Sequence, residues 1–310
     1  MSKLFGKEIK PLTRACNLAA VPDIRYYFNK PRANLYVMVN NVCQANCRFC
    51  TQHGDYRKFD FDKFQKVIDE LRRTTDENEL CLSKINFTGG EPLLYFEKFE
   101  KLYNIIFEKF SFNELGNGNV VINTNGIGLK TLTERNDIMK NIGFVSVSRH
   151  HYDDKLNEEI FQTNTLPTTE DIKNFSLKNQ GKLWLRCNCI KGYIDSTDEV
   201  IKYTDWAIDV GCKHCGFTSL MELNDYCKEN YVYVDIPTIE TLSLVTSSFR
   251  YDDNDKLCCN CNRSYYLNDK DDWCDLVTWN RNLEADSPKD GILVFDGEYL
   301  RYGFFGEVIC

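Results

Sequence analysis

Residues 35–50 read LYVMVNNVCQANCRFC, an apolar run followed at once by three closely spaced cysteines. The run Leu35–Asn40 is rich in β-branched and aromatic side chains, which favour a strand. In the loop that follows, three residues separate Cys43 from Cys47 and two separate Cys47 from Cys50. Three thiolates at this spacing can converge on three corners of a cubane iron–sulfur cluster and leave its fourth iron without a protein ligand. Structural iron–sulfur and zinc sites instead close the fourth position, so the loop indicates a metal site open to a small chelating molecule.

Short β-branched runs alternate along the chain with longer amphipathic stretches. The predicted strands are Leu35–Asn40, Lys84–Thr88, Asn119–Asn123, Phe144–Ser148, Leu183–Ile190 and His214–Leu220. The predicted helices are Phe61–Arg73, Phe96–Phe110, Leu132–Asn141, Thr169–Lys178 and Thr197–Val210. Strands that alternate with helices pair in parallel through right-handed crossovers. The pattern predicts an α/β fold, a partial (β/α)6 TIM-like barrel, whose functional groups lie just after each strand.

The pattern changes near residue 222, where helical periodicity fades and cysteines gather between Cys258 and Cys274. We therefore predict three segments along the chain. Residues 1–34 form a lead-in, residues 35–222 form the barrel, and residues 223–310 form a small C-terminal cysteine-rich extension.

The composition narrows the class of protein. The 310 residues can bury a full-sized core, and 43% hydrophobic and 27% charged residues are typical of a soluble domain. A net charge of -8 creates no field that attracts nucleic acid or an anionic membrane. Neither a signal peptide nor a run of the roughly 20 apolar residues that span a membrane is present. We predict a cytoplasmic protein, in which the 15 cysteines hold metal or pack in a core rather than form disulfides.

The cysteine loop, including the aromatic Phe49 before its last cysteine, resembles the signature of the radical S-adenosylmethionine (radical SAM) superfamily. The resemblance implies that Cys43, Cys47 and Cys50 hold a [4Fe–4S] cluster and that S-adenosylmethionine chelates its open iron. In that superfamily an electron from the cluster cleaves the cofactor, and the resulting 5′-deoxyadenosyl radical abstracts a hydrogen atom from the substrate. The resemblance also implies a reductant such as flavodoxin or ferredoxin. The alternative for the same cysteines is a structural zinc site or a set of buried thiols.

Turns at three later strand ends resemble motifs of the same superfamily. Gly89-Gly90-Glu91-Pro92 follows the second strand, and its two glycines let the backbone approach a ligand closely. Its similarity to the Gly-Gly-Glu motif implies contact with the ammonium group of the methionine moiety. Thr124-Asn125-Gly126 resembles the Thr-Asn-Gly turn of these enzymes, and Ser148 matches the hydroxyl that the superfamily places on the cofactor ribose.

Two adjacent histidines follow the fourth strand. His150 and His151 are half of the four histidines in the chain and can act as acid, base or hydrogen-bond donor to the substrate. The alternative is the N-terminus of a helix that Asp153 or Asp154 caps.

The fifth strand alternates polar and sulfur-containing residues. Arg186 and Asn188 share one face of it, and either can pair with the carboxylate of the cofactor. Cys187 and Cys189 share the opposite face and are predicted to be packed thiols.

A second group of cysteines consists of Cys258, Cys261 and Cys274, with Cys259 as an extra. It resembles the auxiliary-cluster segment of the GTP 3′,8-cyclase family and, more broadly, the twitch and SPASM extensions. The resemblance implies a second iron–sulfur cluster. Cys227 and Cys310 are candidates for its fourth ligand, and the alternative is a fourth position that stays open for substrate. A four-thiolate zinc site and buried thiols are the alternatives.

Three departures from the cyclase family argue against a GTP substrate. That family has an arginine where this chain has Tyr36, and another where this chain has Ser264-Tyr265. It ends in two glycines, whereas this chain ends in Val308-Ile309-Cys310. Without those phosphate and base donors the similarity predicts a shared architecture rather than a shared substrate.

Together these features predict a radical SAM enzyme that acts on a small molecule, either a nucleoside, a sugar or an amino acid. One alternative is a maturase of a ribosomally synthesised peptide, although residues 1–34 are too few for a leader-binding domain. The other is a non-catalytic iron–sulfur or zinc protein, against which the open cysteine loop and the Gly-Gly-Glu turn argue. The sequence leaves open the substrate, the position attacked and the oligomeric state.

Overall fold

The centre of the structure is one large β-sheet. The structure is a computed structural model that describes residues 2–12, 31–50, 58–115, 119–234, 242–243, 261–268, 270–280, 291–304 and 306–310. Within these residues eleven strands belong to the large sheet, and a two-stranded hairpin lies apart from it.

The strands fall into three groups. The hairpin consists of β1 (Ser2–Leu4) and β2 (Lys7–Ile9). The central strands are β3 (Arg32–Asn40), β4 (Cys81–Gly89), β5 (Val120–Thr124), β6 (Phe144–Ser148), β7 (Leu183–Cys189) and β8 (His214–Ser219). The outer strands are β9 (Leu242–Ser243), β10 (Cys261–Leu267), β11 (Trp273–Trp279), β12 (Ile292–Phe295) and β13 (Leu300–Tyr302).

Helices connect the central strands. They are α1 (Phe61–Asp76), α2 (Phe96–Phe107), α3 (Phe112–Leu115), α4 (Leu129–Glu134), α5 (Asn136–Met139), α6 (Asp154–Phe161), α7 (Thr169–Lys178), α8 (Thr197–Asp209) and α9 (Asp225–Glu229). In α1, Phe64, Val67, Ile68 and Leu71 recur every three or four residues and are buried, which gives the helix one apolar face. Across the described ranges, no helix combines the length and apolar character that crossing a bilayer requires.

The predicted α/β fold and partial barrel are confirmed. Strands β3 to β8 are neighbours in chain order, and each adjacent pair is parallel. All six predicted strands overlap observed ones. The predicted helix Leu132–Asn141 is wrong in detail, because two short helices replace it on either side of Arg135. Helix α6 was not among the predicted helices. Asp153 caps its N-terminus, which agrees with the alternative given for the His150–His151 segment.

The outer strands extend the same sheet at both edges. Strand β11 pairs in parallel with β8, and β12 pairs in parallel with β3. Antiparallel β10 and β13 follow outside them. The described strands after residue 222 therefore continue the barrel sheet, and the division of the chain at residues 34 and 222 stays a prediction.

Side chains along each strand alternate between two faces of the sheet. One face packs on the helices and is fully buried, as Leu35, Ile85, Ile122, Val145 and Leu185 illustrate. The opposite face is the barrel interior. Several of its side chains are partly exposed, namely Tyr36, Met38, Thr88, Asn123, Ser148, Arg186 and Asn188. Polar groups at the carboxyl ends of these strands therefore have access to solvent or a ligand.

Candidate active site

The cysteine loop leaves β3 at Asn40 and folds over the carboxyl ends of the strands. Cys47 is buried, whereas Cys43 and Cys50 are partly exposed. The N–H of Ala45 and the side-chain amide of Asn125 each donate to Cys43 Sγ at 3.4 Å. The sulfur of Cys43 is thus held by its own loop and by the turn that follows β5.

The thiols of the loop lie close enough to influence one another electrostatically. Burial, followed by the charges of Cys50 and Cys43, raises the pKa of Cys47 to about 12. Burial also raises the pKa of Cys43, and Glu91 and Cys50 add to that shift. Neighbouring thiolates repel one another, and a bound metal cation would reverse this repulsion. The donor set of this loop therefore fits a thiolate-ligated metal cluster.

A single metal ion needs three or more ligand side chains arranged around one position. Among the described side chains, no group of three or more His, Cys, Asp or Glu residues is arranged to hold a metal ion. The three loop cysteines are included in this result.

The Gly-Gly-Glu turn packs directly on the cysteine loop. The N–H of Gly90 donates to the carbonyl of Asn40 at 2.6 Å, and that of Glu91 donates to the carbonyl of Val42 at 2.9 Å. Gly89 has a φ of +121°, and a Cβ on Gly90 would lie 2.3 Å from the Val42 oxygen. Glycine is required at both positions because the two backbones approach so closely.

Gly90→Ala should displace the cysteine loop. The added methyl group overlaps a backbone carbonyl, so we expect a loss of about 1–3 kcal/mol in unfolding free energy and weaker binding of iron. Urea unfolding and iron retention measure the two effects. Gly192→Ala is the control, because its methyl group meets nothing within 4 Å and only the φ of +84° opposes it. Equal iron retention in the two variants would contradict the expected displacement.

The carboxylate of Glu91 joins this turn to the end of β5. It accepts from the Thr124 hydroxyl at 2.6 Å, from the Asn125 N–H at 2.7 Å and from the Leu93 N–H at 3.0 Å. Pro92 is buried beside it. Since Asn125 also donates to Cys43, the Glu91 side chain fixes the turn that holds this cysteine.

The stability of the metal-free chain should depend on pH through Glu91. Burial raises the pKa of Glu91 from 4.5 to about 7, although its three hydrogen-bond donors oppose the shift. Between these values the folded chain retains a proton that the unfolded chain has lost, so the stabilisation falls as the pH rises. Relative to Glu91→Gln, the wild type should lose roughly 3 kcal/mol of unfolding free energy from about pH 4.5 to about pH 8. Urea unfolding across this range measures the difference, and parallel curves for the two proteins would refute it.

The predicted cofactor-binding residues of later strands lie on the barrel interior. Ser148 is the register partner of Arg186. The guanidinium of Arg186 lies over Gly216 of β8, where a Cβ would come within 2.2 Å of its nitrogen. Asn188 accepts from the Thr218 hydroxyl at 2.8 Å. Their cofactor roles stay predictions, whereas the packing of Cys187 and Cys189 in the core is confirmed.

The two histidines are both buried, each with 4% of its surface exposed. His151 Nδ1 accepts from the Asp153 N–H at 2.9 Å, which ties His151 to the start of α6. Burial lowers the pKa of His151 below 6.5, against the opposing effects of Glu199 and Asp153. His150 packs against Phe49 of the cysteine loop. The acid or base role of either histidine stays a prediction.

The predicted ligands of a second cluster are not brought together. Cys258 lies outside the described residues. Cys261 pairs with Trp279 and Cys274 pairs with Tyr266, so the two cysteine positions are about 17 Å apart along the ladder. Cys227 belongs to a separate apolar cluster with Ile160, Ile190 and Leu220. This geometry does not support Cys261, Cys274 and Cys227 as ligands of one cluster.

Cys274 belongs instead to a group of buried thiols. Its sulfur lies 3.6 Å from that of Cys215, and Cys212 Sγ donates to the His214 carbonyl at 3.2 Å. All three residues belong to the main core. Cys212 and Cys215, which form a further Cys-x2-Cys pair in the sequence, are therefore packed thiols.

Sequence reasoning missed Arg149, which is 1% exposed. Its guanidinium donates to the carbonyls of His151 at 2.7 Å, Pro167 at 3.1 Å and Tyr152 at 3.2 Å. It also pairs with the carboxylate of Asp154. Arg149 therefore shapes the turn that carries both histidines. The only signal in the sequence was a charged residue directly after a strand predicted to be buried.

The sequence and the fold were compared with known proteins. The Radical SAM superfamily profile matches residues 37–203. Over 185 residues, or 58% of this chain, the sequence is 29% identical to the GTP 3′,8-cyclase of Helicobacter pylori. Over 79 residues, or 25% of this chain and 26% of the relative, it is 35% identical to an uncharacterized protein of Methanocaldococcus jannaschii. The cyclase match covers 53% of that enzyme, so the chain spans about half the length of this relative.

Two solved structures are partly similar to this chain. A radical SAM methyltransferase from Sphaerobacter thermophilus has a TM-score of 0.49 and 15% identity, over 68% of this chain and 61% of that chain. SuiB of Streptococcus suis bound to S-adenosylmethionine has a TM-score of 0.48 and 20% identity, over 66% of this chain and 44% of that chain. Because the superfamily profile covers more than half of its length, this chain belongs to the Radical SAM superfamily.

Proposed function

We propose that this chain is an enzyme that reductively cleaves S-adenosylmethionine at a [4Fe–4S] cluster held by Cys43, Cys47 and Cys50. The observation that carries the proposal is the loop itself. It carries three cysteines, spaced by three and two residues, at the carboxyl ends of parallel strands and within the region that matches the superfamily. The cluster and the cofactor, when bound, supply a 5′-deoxyadenosyl radical that abstracts a hydrogen atom from the substrate.

The residues of the chain then bind and orient the reactants. Asn125 supports the Cys43 sulfur, and Glu91 holds Asn125 in turn. On the barrel interior, Ser148 is proposed to bind the cofactor ribose, and Arg186 and Asn188 are candidates for its carboxylate. The backbone of Gly89 and Gly90 is the proposed contact for the ammonium group.

The first test is cofactor cleavage by wild-type protein. The chain, reconstituted anaerobically with iron and sulfide, should release 5′-deoxyadenosine when S-adenosylmethionine and a reductant are supplied. Dithionite serves as the chemical reductant, and reduced flavodoxin or ferredoxin tests the proposed protein partner. A fully assembled loop cluster that yields no 5′-deoxyadenosine would refute the proposed function.

We propose a small polar molecule as the substrate. The interior side chains of β4 to β7 include Asn86, Asn123, Ser146 and Arg186, which bring hydrogen-bonding groups and a positive charge to a face that also carries Val121, Phe144 and Trp184. A nucleoside, a sugar or an amino acid has polar groups that match the first four. These four side chains support the proposal of a compact polar metabolite.

Deuterium transfer can separate the two substrate classes. Cells grown in heavy water provide a deuterated extract, which is divided into a small-molecule fraction and a peptide fraction. Hydrogen abstraction from the substrate transfers deuterium to 5′-deoxyadenosine, which mass spectrometry detects. We expect label only from the small-molecule fraction. Label that comes only from the peptide fraction would favour the maturase alternative.

The second cluster stays a prediction without an assigned ligand set. Iron and labile sulfide per chain, measured in wild type and in Cys258→Ala, would test it. Loss of iron beyond that of the loop cluster in this variant would support an auxiliary site at Cys258.

A further inference from the structure

We propose that His150 is a positioning residue that holds the cysteine loop against two strand ends. The proposal rests on the proposed function, because it assumes that this loop holds the cluster. Three sets of contacts carry it: the stacking of the imidazole, the hydrogen bond at Nδ1 and the attachment of the loop to α6.

The imidazole of His150 is packed between two phenylalanine rings. It stacks on Phe161, the last residue of α6, with centroids 4.6 Å apart and planes 8° apart. It meets the ring of Phe49 edge-on, with centroids 5.1 Å apart and planes 82° apart. Phe49 lies between Cys47 and Cys50, so the stack reaches the segment that carries two of the three cysteines. Stacked and edge-on aromatic pairs each contribute about 0.5–1.5 kcal/mol beyond the burial of their area.

The side chain and the backbone of His150 are each held by a hydrogen bond. The backbone N–H of Asn188 donates to His150 Nδ1 at 3.0 Å, and the backbone N–H of His150 donates to Asn157 Oδ1 at 2.8 Å. One step earlier along the ladder, the N–H of Arg149 donates to the carbonyl of Arg186 at 2.9 Å. The imidazole thus accepts a strand hydrogen bond just where the backbone of β6 leaves the sheet. Because Nδ1 is the acceptor of this bond, the neutral ring carries its proton on Nε2.

The cysteine loop is attached to the other partner of the stack. The N–H of Asn46 donates to the carbonyl of Phe161 at 2.9 Å. Cys47 packs with Phe161 and Leu166 in a small apolar cluster that Phe49 also contacts. His150 therefore links β7, the end of α6 and the cysteine loop through one side chain.

Two substitutions separate the contributions of the stack and the hydrogen bond. His150→Phe keeps an aromatic ring but leaves the Asn188 N–H without its acceptor. His150→Asn keeps a short acceptor but removes the ring. We expect each variant to release iron at roughly 10- to 100-fold lower chelator concentration than the wild type, as is typical when a group that orients a metal ligand is lost. Chelator titration of reconstituted protein measures this, and the electron paramagnetic resonance spectrum of the reduced cluster should change in parallel.

Tyr203→Phe is the matched control. Tyr203 is fully buried, its hydroxyl donates to the Arg149 carbonyl at 2.9 Å, and its ring packs on Trp206 and Phe217. The variant should lose stability, because a buried acceptor loses its donor, while its iron retention and spectrum stay those of the wild type.

The outcomes distinguish this proposal from the proposed function. Wild-type iron retention in both His150 variants would refute the positioning role alone. The positioning role would also be refuted if the His150 variants kept their iron but lost the rise or the fall of 5′-deoxyadenosine formation with pH. His150 would then transfer protons. A wild-type chain that holds no iron at the loop would refute the proposed function and this proposal together.

Discussion

Replacing Cys47 by alanine should reduce 5′-deoxyadenosine formation to the level of the protein-free control. Cys47 is the central cysteine of the loop and the most buried of the three. Its loss removes a proposed direct ligand, so the effect should exceed the roughly 10- to 100-fold cost of losing a group that only orients a ligand. The measurement is 5′-deoxyadenosine per chain under anaerobic, reducing conditions, together with bound iron.

The control for this substitution is Cys81→Ala. Cys81 is buried like Cys47 but begins β4, at the end of the strand opposite the cysteine loop. It should retain iron and cofactor cleavage. If Cys47→Ala and Cys81→Ala retained equal activity, the loop would not be the site of cofactor cleavage.

Replacing Arg149 by methionine should cost about 3–5 kcal/mol of unfolding free energy, the range for a buried charge network that loses one partner. The arginine is almost fully buried and supplies donors to three carbonyls. Methionine is of similar length but donates to none of them, so buried acceptors are left without partners. Urea unfolding of the metal-free chain measures the loss.

Arg135→Met provides a comparison at the surface. Arg135 also pairs with two carboxylates, those of Glu100 and Asp137, but it is partly exposed to solvent. Solvent-exposed ion pairs contribute about 0–1 kcal/mol. An Arg149→Met variant as stable as Arg135→Met would mean that the turn carrying His150 and His151 does not depend on the guanidinium.

The central strands and the turns after them were predictable because their signals are local. Each strand is a short apolar run, and each binding turn follows it within a few residues, as Gly89-Gly90-Glu91 follows β4. Parallel pairing then brings these turns to one edge of the sheet. Such a pattern needs no knowledge of contacts between distant residues.

The separation of Cys261 and Cys274 could not be predicted from their spacing, because it depends on the register of the hairpin. Residues of an antiparallel hairpin face each other when they are equally far from the turn. Leu267 pairs with Trp273, so Cys274 is one residue from this pair and Cys261 is six residues from it. Spacing along the chain suggested proximity, whereas the ladder separates the two positions.

The roles of Arg149 and His150 were beyond sequence reasoning for a similar reason. Their partners, Pro167, Phe161 and Asn188, come from other elements, and α6 itself was not predicted as a helix. A buried arginine is rare unless it is paired, and its partners are mostly backbone carbonyls that no motif records.

The pairing of β12 with β3 has a consequence for how the protein folds. The strand that leads into the cysteine loop has β4 on one side and residues 292–295 on the other. During synthesis, β3 therefore remains an open edge until this late segment has left the ribosome. Contacts between such distant segments form slowly, because a long loop must close first. Insertion of iron is thus expected to follow completion of the chain, and a chain that stalls before residue 292 exposes an edge prone to association.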